Sequence, residues 1–131
     1  MNDIKLVKVG VTALIYSGDL FHSKVLVVSR KDNHNDFGLP GGKCDPEDPS
    51  CLEAMKREVY EETGLVVEKA YPFYFRDDGE FVGLTYLVTL YTGIIHKTSD
   101  KETGLVKWSD FNELKNGSFG KYNSALEKHI K

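Results

Sequence analysis

The chain has 131 residues, 40% hydrophobic and 28% charged. A chain of that size buries roughly two thirds of its unfolded surface without disulfides or structural metal. No stretch approaches the roughly 20 apolar residues a membrane span needs. A net charge of −3 argues against a nucleic-acid backbone as the main partner and leaves room for a small basic pocket for one phosphate ligand. The expectation is one domain over residues 1–131, a monomer or homodimer. The opening MNDIKLVKVG lacks the basic start, apolar middle and small-residue cleavage site of a secretory signal, so a cytoplasmic location is expected.

Taken in chain order, Leu6 to Tyr16 (LVKVGVTALIY) and Lys24 to Ser29 (KVLVVS) are rich in β-branched residues and read as strands. SGDLFHS between them supplies a Gly-Asp turn and predicts a hairpin. KDNHNDFGLPGGKCDPEDP is dense in Asn, Asp, Gly and Pro and reads as a long irregular loop of the kind that carries function. SCLEAMKREVYEETG is the clearest helix, with Asp48 expected as N-cap, Pro49 in the first turn and Gly64 as a left-handed C-cap. VVEKAYPFYF and FVGLTYLVTLYTGII read as two strands joined by the Asp-Gly signal in RDDGE, completing a mixed sheet with the first two. A short strand around Val106 and helices over FNELK and YNSALEKHIK follow.

Cys44 and Cys51 are too few for a disulfide framework, and a reducing compartment keeps them as thiols. His22, His34, His96 and His129 are scattered, without the pairing a tetrahedral zinc site requires.

On a helical wheel Glu58, Glu61 and Glu62 fall within about 100° on one face, beside an apolar arc of Leu52, Met55 and Val59. Cys51 and Ala54 share the acidic arc, and their small side chains are expected to leave room for a ligand. Like charges at these spacings repel, and Arg57, able to reach Glu53 or Glu61, cannot neutralise three or four carboxylates. A hard divalent cation with oxygen ligands can. An acidic helix end alone reads more readily as a solvated surface. The GLPGGK loop directly before it, which permits close backbone approach to a ligand, makes a metal-phosphate site the more specific reading.

The stretch Gly41 to Leu65, about a fifth of the chain, resembles the Nudix box, G-x5-E-x7-R-E-U-x-E-E-x-G-U. Arg57, Glu58, Val59, Glu61, Glu62, Gly64 and Leu65 match its second half. The first half carries one extra residue: with Gly42 as the box glycine, Asp48 stands in the place of the first Glu. The resemblance implies an α/β fold, a Nudix-type α/β/α sandwich with a central mixed β-sheet. It also implies hydrolysis of a pyrophosphate bond in a nucleoside diphosphate linked to another group, with Mg²⁺ or Mn²⁺ as cofactor.

By the same resemblance Glu58, Glu61 and Glu62 are metal ligands or the water-activating base, Arg57 orients them, and the Gly41 carbonyl is a further ligand. Glu102, six residues before Trp108, is a candidate to complete the site. Arg30, at the end of the second strand, and Lys43 are candidate phosphate binders. Phe37, just before GLPGG, is the first candidate to stack on a base, ahead of Phe73, Tyr74, Phe75, Phe81 and Tyr86. The leading substrate class is a nucleoside triphosphate. Nucleotide sugars, dinucleoside polyphosphates and a capped RNA end stay open, as does a different class, a nucleotide-binding regulator without catalysis. No S-Q-P-W-P-x-S type sequence is present.

Overall fold

In a computed structural model the described residues are 8–18, 24–79, 81–95 and 104–130. Glu102 lies outside them, as do most of the SGDLFHS turn, His22 and His96. The elements are β1 (Lys8–Leu14), β2 (Val25–Ser29), β3 (Phe37–Gly38), β4 (Gly41–Lys43), α1 (Cys51–Thr63), β5 (Val66–Asp77), β6 (Phe81–Thr92), β7 (Val106–Ser109), α2 (Asn112–Lys115) and α3 (Gly120–Ile130). Among the described residues no helix is long and apolar enough to cross a membrane.

The central sheet is mixed, in the order β4-β1-β6-β5, and a three-stranded sheet β3-β2-β7 lies beside it. β1 runs parallel to β6, with Thr12 opposite Thr85 and Gly10 opposite Gly83. β5 and β6 form the expected antiparallel hairpin, closed at Gly79 with φ 93°.

The expected β1–β2 hairpin is only partly realised. The two strands meet at their ends, through a Tyr16–Val25 bridge and a Leu26 N–H to Ile15 carbonyl bond, and then part into separate sheets. The supposed irregular loop also contains two short strands, because β3 adds to β2 and β4 to β1. Gly41 and Gly42 are therefore held in sheet register.

Period-2 alternation splits the core into two layers. Val11 and Ala13 of β1 and Ile15 just beyond it face α1, where they pack with Met55, Val59, Leu65 and Tyr86. Leu14, Val25 and Val27 face the other side and pack with Phe37 and Leu114. Helices on both faces make the expected α/β/α arrangement. Leu52, Met55 and Val59 pack on the sheet as their arc predicts, but Ala54 is fully buried in the same core. Rather than leaving space above the carboxylates, it fills the contact between helix and sheet.

Candidate functional site

Helix α1 positions the acidic cluster, and its two ends are fixed differently from one another. Gly64 takes φ 86° and returns its N–H to the Tyr60 carbonyl, the left-handed cap expected. At the other end Asp48 is not the cap. Ser50, in extended backbone, accepts from the Glu53 N–H at 3.1 Å, and α1 starts at Cys51. Pro49 accordingly precedes the helix. The reason lies nine residues on: Arg57 donates from Nε and Nη2 to the two oxygens of Asp48, at 3.1 and 3.0 Å. This two-pronged pairing, together with the Asp45 N–H at 2.8 Å, occupies the Asp48 carboxylate. It holds that carboxyl below its usual range, the Arg57 hydrogen bonds being the largest cause.

The other face of the Arg57 guanidinium reaches the cluster itself. Its Nη1 donates to Glu58 at 3.0 Å and to Glu61 at 3.4 Å, while Glu53 pairs with Lys56 instead. Arg57 thus bridges the loop before α1 to two of the three expected carboxylates.

Glu62 lies under β4, where its Oε1 accepts from the Gly41 N–H at 2.7 Å. Both glycines are required by close approach. A Cβ on Gly41 would stand 2.0 Å from the Val11 carbonyl oxygen, and one on Gly42 would stand 2.6 Å from the Glu58 carboxyl carbon. Burial pushes Glu62 up to about 8, reinforced by Glu58 and Glu61, while the Gly41 N–H and, more weakly, Lys31 oppose the shift. Glu58 is also raised, mainly by burial, with Arg57 opposing.

As the side chains stand, no three His, Cys, Asp or Glu groups among the described residues are placed together to hold a metal ion, because Arg57 engages two of the carboxylates and the Gly41 N–H the third. The donor set nevertheless fits a hard divalent cation. It is all oxygen, partly buried and mutually repelling, so that added positive charge would relieve it.

Glu62 opens into a cavity of about 350 Å³ between the two sheets, also lined by Arg30, Lys31 and Lys43, within the usual range for small-molecule sites. Arg30, exposed and paired with Asp32 at 3.0 Å, and Lys43 therefore stand where a phosphate could reach them.

Phe37 does not. It is 5% exposed, packed in the second core layer, with Lys107 Nζ 4.2 Å above its ring. The aromatic groups at the cavity are instead Phe81, Phe119 and Tyr122, with the Asn123 side chain beside them. Phe119 is 55% exposed. Its loop is tied down by Asp36, whose carboxylate accepts from the Ser118 N–H at 2.8 Å and from the Ser118 hydroxyl.

Gly10 and Gly83, side by side in the sheet, make room for this wall, since a Cβ on either would meet the Phe81 or Tyr122 ring at 2.6 Å. Behind it Thr12, Thr85 and Tyr122 form a chain of hydroxyls at 2.7 and 2.6 Å. Lys31, Phe119, Tyr122 and Asn123 carried no motif. Only the aromatic between two glycines in GSFGK could have drawn notice to Phe119.

The chain is 37% identical over 79 residues to the mitochondrial coenzyme A diphosphatase NUDT8 of Mus musculus, a match covering 56% of this chain and 35% of that protein. The chain thus spans about a third of the length of this curated relative. A MutT NUDIX hydrolase from Burkholderia pseudomallei superposes with a TM-score of 0.71 at 27% identity, over 93% of this chain and 97% of that one. An ADP-ribose pyrophosphatase from Streptococcus suis gives 0.72 at 25% identity, over 95% and 90%. The family model for the NUDIX domain matches residues 6–128, and with the carboxylate cluster and glycine pair seated as described, the chain belongs to the NUDIX family.

Proposed function

We propose that the chain is a pyrophosphohydrolase that cleaves the phosphoanhydride bond of a nucleoside diphosphate linked to another group, with nucleoside triphosphates as the leading class. The observation that carries this reading is the seating of Glu62. A buried carboxylate with a raised proton affinity faces a nucleotide-sized cavity, with Glu58 and Glu61 on the same helix face and three cationic side chains around the opening.

Glu58, Glu61 and Glu62, with the Gly41 carbonyl, are the groups that would hold Mg²⁺ or Mn²⁺. Such a cation, when bound, polarises phosphoryl oxygens and offsets the charge that builds on the leaving phosphate. Arg57 orients Glu58 and Glu61 from its anchor on Asp48. Arg30, Lys31 and Lys43 bind the phosphates electrostatically. The proton lost by the attacking water goes to one of the acidic groups, the three helix carboxylates or Glu102. Phe119 offers its exposed face to the base.

A second reading is a substrate with a longer non-nucleotide half, as the names of the mouse and Streptococcus suis relatives suggest. An open groove continuing past Phe119 and Tyr122 to Lys121 and Lys128 offers such a half a place.

The deciding experiment incubates the protein with Mg²⁺ or Mn²⁺ and a panel of nucleoside triphosphates, ADP-ribose, coenzyme A, nucleotide sugars and dinucleoside polyphosphates, with products separated by chromatography. Release of a nucleoside monophosphate and pyrophosphate supports the first reading. Cleavage of only the longer compounds, each into a nucleotide and its phosphorylated other half, supports the second. No turnover of any of them, by protein shown to be folded, rejects both.

A further inference from the structure

The pair Cys44 and Cys51 lies outside the machinery described above. Cys44 directly follows β4 and Cys51 is the first residue of α1, and both are half-buried free thiols. The Cys44 thiol donates to the Cys51 sulfur at 3.3 Å. A disulfide bond is about 2.05 Å long, so closing the pair requires the sulfurs to approach by only about 1.3 Å.

The segment between them is short and already folded back on itself. The Asp48 N–H bonds to the Asp45 carbonyl at 3.0 Å, and the Asp45 N–H bonds to the Asp48 carboxylate at 2.8 Å. This closed loop brings the two sulfurs together, and it carries both aspartates that hold Arg57.

We propose that Cys44 and Cys51 form a reversible dithiol–disulfide pair, an oxidative modification site that fastens the end of β4 to the first turn of α1. With hydrogen peroxide as oxidant, the Cys51 sulfur attacks one peroxide oxygen, giving a sulfenic acid and one water. The Cys44 sulfur then attacks the Cys51 sulfur, the S–O bond breaks, and a second water leaves. Two thiols lose two electrons and two protons, and peroxide is reduced to two waters. An added dithiol reverses the step by thiol–disulfide exchange.

The order of the roles follows from the hydrogen bond. Cys51 accepts the hydrogen bond of its neighbour and stands at the positive end of a helix, where attacking thiols are favoured. Cys44 is held protonated, its pKa pushed up to about 12 by burial first and by its bond to Cys51 second, which leaves the first attack on peroxide to Cys51; that bond is lost once Cys51 is oxidised, freeing Cys44 to attack.

The test treats the full-length wild-type protein with limiting peroxide and measures intact mass, free thiols and melting temperature. The expected result is a monomer lighter by two hydrogen atoms with no free thiols, restored by dithiothreitol. Its melting temperature should be several degrees higher, since a disulfide removes freedom from the unfolded chain. Cys44→Ser, exposed to peroxide with glutathione, should instead carry a glutathione adduct on Cys51. The wild-type measurements decide the matter even if that variant misfolds. Disulfide-linked dimers, stable oxygen adducts on either sulfur, or an oxidised monomer that melts lower than the reduced one would overturn the proposal.

Discussion

The backbone N–H of Gly41 donates to the Glu62 carboxylate at 2.7 Å, joining the glycine strand to the acidic helix through a side chain that burial pushes up to about 8. This buried contact links metal affinity, pH and stability.

The first prediction concerns the metal. Hydrolysis should require Mg²⁺ or Mn²⁺ and stop on chelation, because the repelling carboxylates need positive charge before they can act together. Ligands must be deprotonated to bind, so the affinity for Mg²⁺ should rise as pH increases through about 8. Calorimetric titrations at pH 6.5, 7.5 and 8.5 measure this. Undiminished turnover after thorough metal removal excludes the mechanism.

A second prediction concerns Glu62→Gln. Its kcat should fall by at least ~10²-fold, the order seen when one preorganised electrostatic group is lost. The metal-free variant should nevertheless be the more stable protein at alkaline pH. The folded pKa of about 8 lies above the ordinary 4.5. The folded wild type therefore binds the Glu62 proton more tightly than the unfolded chain does. That contribution is fully present below pH 4.5 and is lost as pH rises through 8, on the order of a few kcal/mol. Gln, which keeps an acceptor for the Gly41 N–H and has no charge to lose, should melt close to the wild type near pH 4.5 and above it near pH 9. Melting curves of both proteins in chelator across that range provide the measurement.

The two ends of the loop before α1 separate capping from positioning. Ser50→Ala should cost about 0.5–2 kcal/mol of stability through the lost cap and leave kcat at saturating metal within about twofold. Asp48→Ala should lower kcat by about 10-fold, as changes just outside a metal site do, because Arg57 loses its two-pronged anchor. Asp48→Ser should not restore it, since Ser cannot form that pairing. Recovery of activity in Asp48→Ser would mean that Asp48 acts through the backbone and not through Arg57.

Much of this was legible locally. The helix, its Gly64 cap, the Asp-Gly hairpin and the arc of Glu58, Glu61 and Glu62 follow from periodicity and turn chemistry within a few residues. What escaped depends on distant partners. Alternation marks β1 and β2 as strands, but period 2 does not say which neighbours each will take, so their division between two sheets was not visible. Asp48 and Ser50 are both good capping residues two positions apart, and Arg57 decides between them by engaging the aspartate. The cavity wall uses Phe119 just before α3 and Tyr122 and Asn123 within it; Tyr122 meets Thr85, 37 residues away in the sheet, and no local pattern announces them.

The same dependence on distant partners gives the last prediction, which sets Phe37 against Phe119. An aromatic just before GLPGG suggests a stacking surface, yet Phe37 is enclosed by Leu14, Val25, Val27 and Leu114. Phe37→Ala should therefore act on folding, costing about 3–5 kcal/mol, as Phe truncations in cores do. Phe119 is more than half exposed at the cavity, so its truncation should barely move the melting temperature. If a base stacks there, Phe119→Ala loses about 1–3 kcal/mol of binding, a rise in KM of roughly 5- to 150-fold. Phe119→Tyr or Phe119→Trp should retain most of the affinity, because each keeps an aromatic face. Steady-state kinetics and thermal melts on these four variants distinguish the two roles. A KM defect without loss of stability in Phe37→Ala, with normal kinetics in Phe119→Ala, would return the stacking role to Phe37.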